Sequence, residues 1–336
     1  MSESNNIIKL FILRHGQSEL NHENIFCGWI DAKLTQQGMD QARSSAKLIK
    51  QYLQKENIKV PTIGFTSRLT RTKQTLDTML EELGQSEKKQ VNVLVDNTDG
   101  EKQLDKKHPF QVIRVDSNTA SDNNKNFQIY RSWRLNERHY GSWQGQRKPK
   151  ILNEYGKEKY MFIRRDYNGK PPVVDLNKEM ENEDPAAAAA SIVEEGEEEY
   201  AFKEPNRKLK YDIEYKYGDI TTLPDSESLS DVVERLKPLI YEFILPRIKD
   251  TDNKSGIIVG HGSSVRSILK ILCDISDDDI KDVNIPNGIP LVLELQEVRG
   301  TSNEKSFKFL NKFYLDPELA KVNAEKVKNE GFQKGQ

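Results

Sequence analysis

The chain has 336 residues, 31% of them charged and 35% hydrophobic, with a formal net charge of −2 at pH 7. That near-neutral balance excludes a general nucleic-acid binder, and no apolar run approaches the roughly 20 residues a bilayer span requires, so no membrane association is expected. Cys27 and Cys273, the two cysteines, cannot form a disulfide framework and lack metal-ligand spacing. The segment Met1 to Asn6 carries no basic stretch of the kind that opens a signal peptide, so a cytoplasmic location is expected. Charge is unevenly spread: nine acidic residues against one basic lie between Lys178 and Glu199, which leaves the remainder at +6. A basic body suits an anionic ligand.

In chain order, an apolar strand over Ile7 to Leu13 runs into Arg14-His15-Gly16-Gln17-Ser18-Glu19. Leu48, Ile49 and Leu53 anchor a helical pattern from about Gln36 to Gln54, which Pro61 closes off. Thr62 to Thr66 reads as a short strand, and a second helix is predicted from near Ser67, a good N-cap residue, to near Gly84. Strands alternating with helices imply an α/β fold: a mostly parallel central sheet with helices on both faces. Residues 85–126 are polar apart from an apolar patch at Val91 to Val95, and read as an insertion that is largely surface loop. A strand at Phe127 to Tyr130 leads into Trp133-Arg134-Leu135-Asn136-Glu137-Arg138-His139-Tyr140-Gly141. A second irregular tract, 175–206, is of low complexity, with an alanine run and glutamate clusters, and is expected to be disordered. Beyond it a Ser- or Asp-capped helix is predicted through Val232, Val233, Leu236, Leu239 and Ile240. Next come a glycine-flanked strand ending at Gly260-His261-Gly262, a helix from Ser264 to Leu272 and a late strand from Ile289 to Leu295. One domain with two polar insertions accounts for this order.

The chemistry lies at the strand ends. Two of only five histidines, His15 and His261, each follow a buried strand and precede a helix. Ligands of open α/β sheets bind along the carboxyl edge of the strands, so both imidazoles are expected to face one ligand. A neutral imidazole is a competent nucleophile toward phosphorus, and Arg14 offers a planar fork of donors suited to phosphate oxygens. His261 is not read as a metal ligand, because no third His or Cys has suitable spacing. Beside a phosphoryl centre it serves better as a donor to the equatorial oxygens. Arg71, near a helix start, would add a second guanidinium. Glu137, the one acid in a basic and aromatic run, could move a proton, although a salt bridge to Arg134 or Arg138 is the plainer reading. Arg164 and Arg165, with Lys148 before them, lie in an aromatic-rich stretch and could meet a carboxylate or second phosphate.

Taken together, these segments resemble the histidine phosphatase superfamily and, more narrowly, its 2,3-bisphosphoglycerate-dependent phosphoglycerate mutases. Besides the two histidine motifs, the resemblance rests on Gly28-Trp29, Leu34 to Gly38, Ser67 to Thr75, Arg134 to Gly141 with Gln144-Gly145, and Arg164-Arg165. It extends through Ser226 to Leu229, Ile285 to Pro290 and Tyr314 to Pro317, in the family's order. The resemblance implies that His15 is the phosphorylated nucleophile, that Arg14, Arg71 and His261 hold the transferred group, and that Glu137 is the acid/base. It implies substrate contacts from Ser18, Asn21, Cys27, Gly28, Arg138, Tyr140, Lys148, Arg164, Arg165, Gly262 and Ser263. It further implies exchange of a phosphoryl group between O3 and O2 of glycerate in glycolysis and gluconeogenesis, priming by 2,3-bisphosphoglycerate and no metal; homo-oligomerisation is left open.

Four positions depart from the usual pattern: Ser263 stands where Asn is usual, Asn287 where Thr is, Leu20 where Trp is and Cys27 where Thr is. Ser263 and Asn287 are expected close to the phosphate, where they would alter how substrate is held. The acidic tract falls in a segment that covers the site in the family. A weak mutase, a phosphatase for a small phosphorylated metabolite and a catalytically impaired homologue with a regulatory role are the readings that follow.

Overall fold

The computed structural model describes residues 7–96, 110–115, 126–175, 202, 204, 206–216, 224–298 and 306–332. Its centre is an eight-stranded sheet. In chain order the strands are β1 (Ile7–Arg14), β2 (Ile63–Thr66), β3 (Lys89–Asp96), β4 (Phe110–Arg114), β5 (Phe127–Arg131), β6 (Ser255–Gly260), β7 (Leu291–Glu297) and β8 (Phe307–Tyr314). Across the sheet they lie in the order β4-β3-β5-β2-β6-β1-β7-β8. The run from β3 to β1 is parallel, and β4, β7 and β8 are antiparallel additions at its two edges.

Alternation along the strands builds two cores. On one face Ile8, Leu10 and Ile12 pack with Val232, Leu236 and Leu239 and with Ile268 and Leu272. These come from α7 (Leu229–Pro238), its π-helical continuation Leu239–Ile244 and α9 (Gly262–Cys273), with α8 (Leu245–Lys249) completing that layer. On the other face Phe11, Leu13, Ile257 and Val259 meet Ala42, Ala46 and Ile49 of α2 (Gln36–Lys55) and Leu76, Met79 and Leu80 of α3 (Thr70–Glu82). Among the described residues the remaining helices are α1 (Glu19–His22), α4 (Lys148–Tyr155), α5 (Lys157–Arg165), α6 (Arg207–Glu214) and α10 (Pro317–Asn329). Among the described residues no helix is long and apolar enough to cross a membrane.

The α/β sheet with helices on both faces is as expected, with three local differences. Residues 85–126, read as largely loop, contain β3 and β4: Val91, Val93 and Val95 are buried, and Asn92 is accommodated because its amide donates to the Ile129 carbonyl at 3.2 Å. The second helix starts at Thr70, and its N-cap position is Leu69 rather than Ser67. Beyond Ile289 to Leu295, the chain adds β8 and α10, which the sequence reading had not assigned. Most of the 175–206 tract lies outside the described residues.

Leu236 is fully buried between α7 and the sheet. Leu236→Ala is expected to cost about 2–5 kcal/mol in urea unfolding; a loss below about 1 kcal/mol would contradict this packing.

Candidate active site

The two histidines meet because their strands are neighbours. In the β1–β6 ladder Leu13 faces Val259 and Arg14 faces Gly260. The His15 amide then donates to the Gly260 carbonyl at 3.0 Å. The next residue of each strand therefore leaves the sheet at the same edge, and the rings stand 5.0 Å apart, edge to face at 66°. Both are almost wholly buried.

The protonation of His15 follows from its partners. Nδ1 lies 2.6 Å from the Gly16 carbonyl oxygen. A carbonyl can only accept, so Nδ1 carries the proton and Nε2 carries the lone pair. The Arg71 Nε–H donates to that Nε2 at 3.3 Å. Burial first, then the Arg71 and Arg14 guanidiniums, hold the His15 pKa well below the usual histidine range. His261 is lowered by the same kind of forces: burial, then Arg71, His15 and Arg14. Its Nε2 pairs with the Ser67 hydroxyl at 2.8 Å, and its Nδ1 is buried without a partner among the described residues. Thus Ser67, displaced from the expected cap position, instead orients the second imidazole.

Arg71 sits in the first turn of α3, with NH1 on the Ile30 carbonyl at 2.9 Å and NH2 on the Gly28 carbonyl at 2.7 Å. Arg14 donates to the Ile285 carbonyl at 3.0 Å, and its buried Nε has no partner among the described residues. Glu137 faces them across the site. Its Oε1 accepts from the backbone N–H of Arg138 at 2.9 Å and of Ser263 at 3.0 Å, and Oε2 takes part in neither bond. The plainer ion-pair reading of Glu137 is not realised: Arg134 pairs with Asp96 at 2.8 Å. Instead the loop carrying Glu137 is held by its backbone, whose carbonyl accepts from the Trp29 indole at 2.7 Å and from Arg235 at 3.0 Å.

Arg14, His15, Arg71 and Glu137 open onto one cleft, with His261 buried beside His15. Of the expected substrate contacts, Asn21, Cys27, Gly28, Tyr140, Lys148, Arg164, Arg165, Gly262 and Ser263 line it. Ser18 does not; it caps α1 by accepting from the Asn21 amide at 3.3 Å. Arg138 does not either. Its guanidinium is spent on the carbonyls of Ile163, Arg164 and Gly169 and lies 4.5 Å from the Tyr140 ring centre, which makes it a strut beneath that ring. The departures also find places. Leu20 and Cys27 pack in a small apolar cluster with Ile25, Ile30 and Ala32; burial pushes the Cys27 thiol up to about 11, so it is no nucleophile at neutral pH. Asn287 is not at the cleft wall; its amide donates to the His15 carbonyl at 2.8 Å and fixes the backbone from behind. Sequence reading missed Arg266 and Glu330, both in the cleft wall. Arg266 lies three residues after Ser263 on α9, a helical spacing that puts it on the same face.

Comparison with known proteins fits this geometry. Residues 10–96 match the family model for the histidine phosphatase superfamily, branch 1. The chain is 56% identical to phosphoglycerate mutase 2 of Saccharomyces cerevisiae, over 99% of this chain and 98% of that protein. The chain belongs to the phosphoglycerate mutase family. It is 34% identical to the 2,3-bisphosphoglycerate-dependent phosphoglycerate mutase of Corynebacterium efficiens, over 96% of this chain and 97% of that one. Among solved structures, one titled mycobacterial hydrolase 2 superposes with a TM-score of 0.55 at 16% identity, covering 96% of this chain and 98% of that chain, a likeness of fold.

Because burial and two arginines keep His15 unprotonated, the acid limb of kcat/KM is expected below pH 6.5. His139 is lowered too, to about 3. Unfolded histidines take up protons that these three refuse when folded, so stability falls as pH drops below 6.5, by up to about 1.4 kcal/mol per unit per histidine. A pH–rate profile and thermal unfolding from pH 7 to 5 check both; an acid limb centred at 6.5 would contradict the assignment.

Proposed function

We propose that the protein interconverts 3- and 2-phosphoglycerate through a phosphohistidine at His15, working as one domain in the cytoplasm. One observation carries this reading: an unprotonated Nε2, with a guanidinium and a second imidazole beside it and a carboxylate facing it across one cleft. The Nε2 lone pair forms the N–P bond as the P–O bond to glycerate breaks. Glu137 Oε2 takes a proton from the receiving hydroxyl when the loaded His15 gives up its phosphoryl group, and returns it to the departing oxygen when Nε2 takes up the next one. Arg14, Arg71 and His261 meet the charge on the equatorial oxygens. The Arg14 Nε and the His261 Nδ1 are buried and unpartnered, which fits an anion between them. With the proton on Nδ1, His261 donates to that anion while Ser67 donates to Nε2.

The primer, 2,3-bisphosphoglycerate, fits the same residues, since Lys148, Arg164 and Arg165 add a second group of cations in the cleft. When bound, it supplies the phosphoryl group that loads His15. Ser263 contributes its backbone N–H to Glu137, a bond independent of its side chain, so the Asn-to-Ser departure leaves the acid/base in place. Interconversion is therefore expected, and Ser263→Asn should change KM by no more than about tenfold with kcat retained.

The primed, purified protein is expected to convert 3-phosphoglycerate to 2-phosphoglycerate, and His15→Ala to lower turnover by about 10³-fold or more. Equal turnover by His15→Ala would overturn the nucleophile. Stoichiometric release of inorganic phosphate without 2-phosphoglycerate would overturn the mutase in favour of hydrolysis.

A further inference from the structure

The second group of cations in the cleft already holds a carboxylate. Glu330 follows α10, and its Oε2 lies 2.7 Å from Lys148 Nζ and 3.0 Å from Arg164 NH2. The backbone carries the same contact further: Arg164 donates to the Glu330 carbonyl at 2.9 Å and to the Val327 carbonyl at 3.1 Å, and Arg165 donates to Val327 at 3.3 Å. The twin arginines thus cap the last carbonyls of α10. The segment is seated independently of the carboxylate. Phe332 packs edge-on against Tyr160, 6.3 Å between ring centres. Gly331 has φ +93°, and a Cβ there would come within 2.3 Å of the Tyr160 hydroxyl. Burial opposes the charge on Glu330, but Lys148, Arg14 and Arg164 outweigh it and hold the carboxyl down to about 2. Glu330 is therefore ionised at any working pH.

We propose that Glu330 is a tethered competitor at the subsite for the ligand's far anionic group: its carboxylate takes Lys148 and Arg164, so a glycerate carboxylate or second phosphate must displace it. This rests on the reading of Lys148, Arg164 and Arg165 as ligands of the glycerate. Glu330 sets affinity and specificity and touches no reacting atom. Neutralising it adds one positive charge to the subsite, which favours the more highly charged bisphosphate over the monophosphate. If the segment is seated nine times in ten, the apparent Kd is raised about tenfold over that of the free subsite.

The test is calorimetric binding of 3-phosphoglycerate and of 2,3-bisphosphoglycerate to the full chain, with carboxypeptidase digestion as a second readout. Glu330→Gln is expected to tighten 3-phosphoglycerate about five- to tenfold and the bisphosphate more. Gly331→Ala, which pushes the segment off Tyr160, should act in the same direction. Glu325→Gln, which removes the same charge from the exposed side of α10, should leave both Kd values unchanged. In the unmodified protein 3-phosphoglycerate should speed digestion past Glu330. Weaker or unchanged binding by Glu330→Gln, or protection of the segment by 3-phosphoglycerate, would overturn the competition while leaving the mutase reading standing. Failure of 3-phosphoglycerate to bind any of these proteins would overturn the mutase reading and the competition with it.

Discussion

The site depends on the short bond between His15 Nδ1 and the carbonyl of Gly16. It selects the tautomer whose Nε2 carries the lone pair, and much of the surrounding structure keeps it in place. Gly16 can occupy that turn because it has no side chain: a Cβ would come within 2.2 Å of the Gly38 carbonyl at the start of α2. Asn287 ties the His15 carbonyl from the opposite side. Arg71 reaches Nε2 only because Gly28 and Ile30 hold the rest of its guanidinium. The ring is thus fixed by backbone atoms of several segments, a rigid arrangement in which little must reorganise when charge develops.

Electrostatics divides the cleft into two parts. Near the imidazoles Arg14 and Arg71 bond to backbone carbonyls, and their charge adds to burial in making the two histidines resist protonation, with Glu137 facing them across the cleft. At the far end Lys148, Arg164 and Arg165 stand with Glu330, and part of their charge is already neutralised. Burial lowers Lys148 despite that carboxylate, and lowers Arg165 to about 9. An anionic ligand relieves the first part directly, whereas in the second it exchanges one carboxylate for another.

The sequence carried the sheet centre and the side chains that meet at its edge because their signals are local. β1 and β6 are apolar runs ending in a histidine, and the parallel register that joins them needs nothing else. Lys89, Gln90 and Asn92 obscure β3: the first two are half-buried at its start, and Asn92 is buried with its amide on the Ile129 carbonyl. Arg138 shows another limit. Its neighbour Glu137 faces the cleft, but one residue further along the guanidinium turns into a cage of carbonyls, and a string of residue types does not reveal backbone oxygens. Glu330 is separated from Lys148 by 182 positions and contacts it only because α10 folds back over the cleft. Ser67 kept its importance and changed its task, from helix cap to partner of His261.

The central claim is that the Gly16 carbonyl makes Nε2 of His15 the atom that takes up phosphorus. Phosphorus-31 and nitrogen-15 NMR of the phosphorylated protein, labelled at histidine, tests this most directly. One phosphohistidine is expected, at residue 15, bonded through Nε2 with Nδ1 still protonated. Phosphorus on Nδ1 of His15, or on His261, would contradict it.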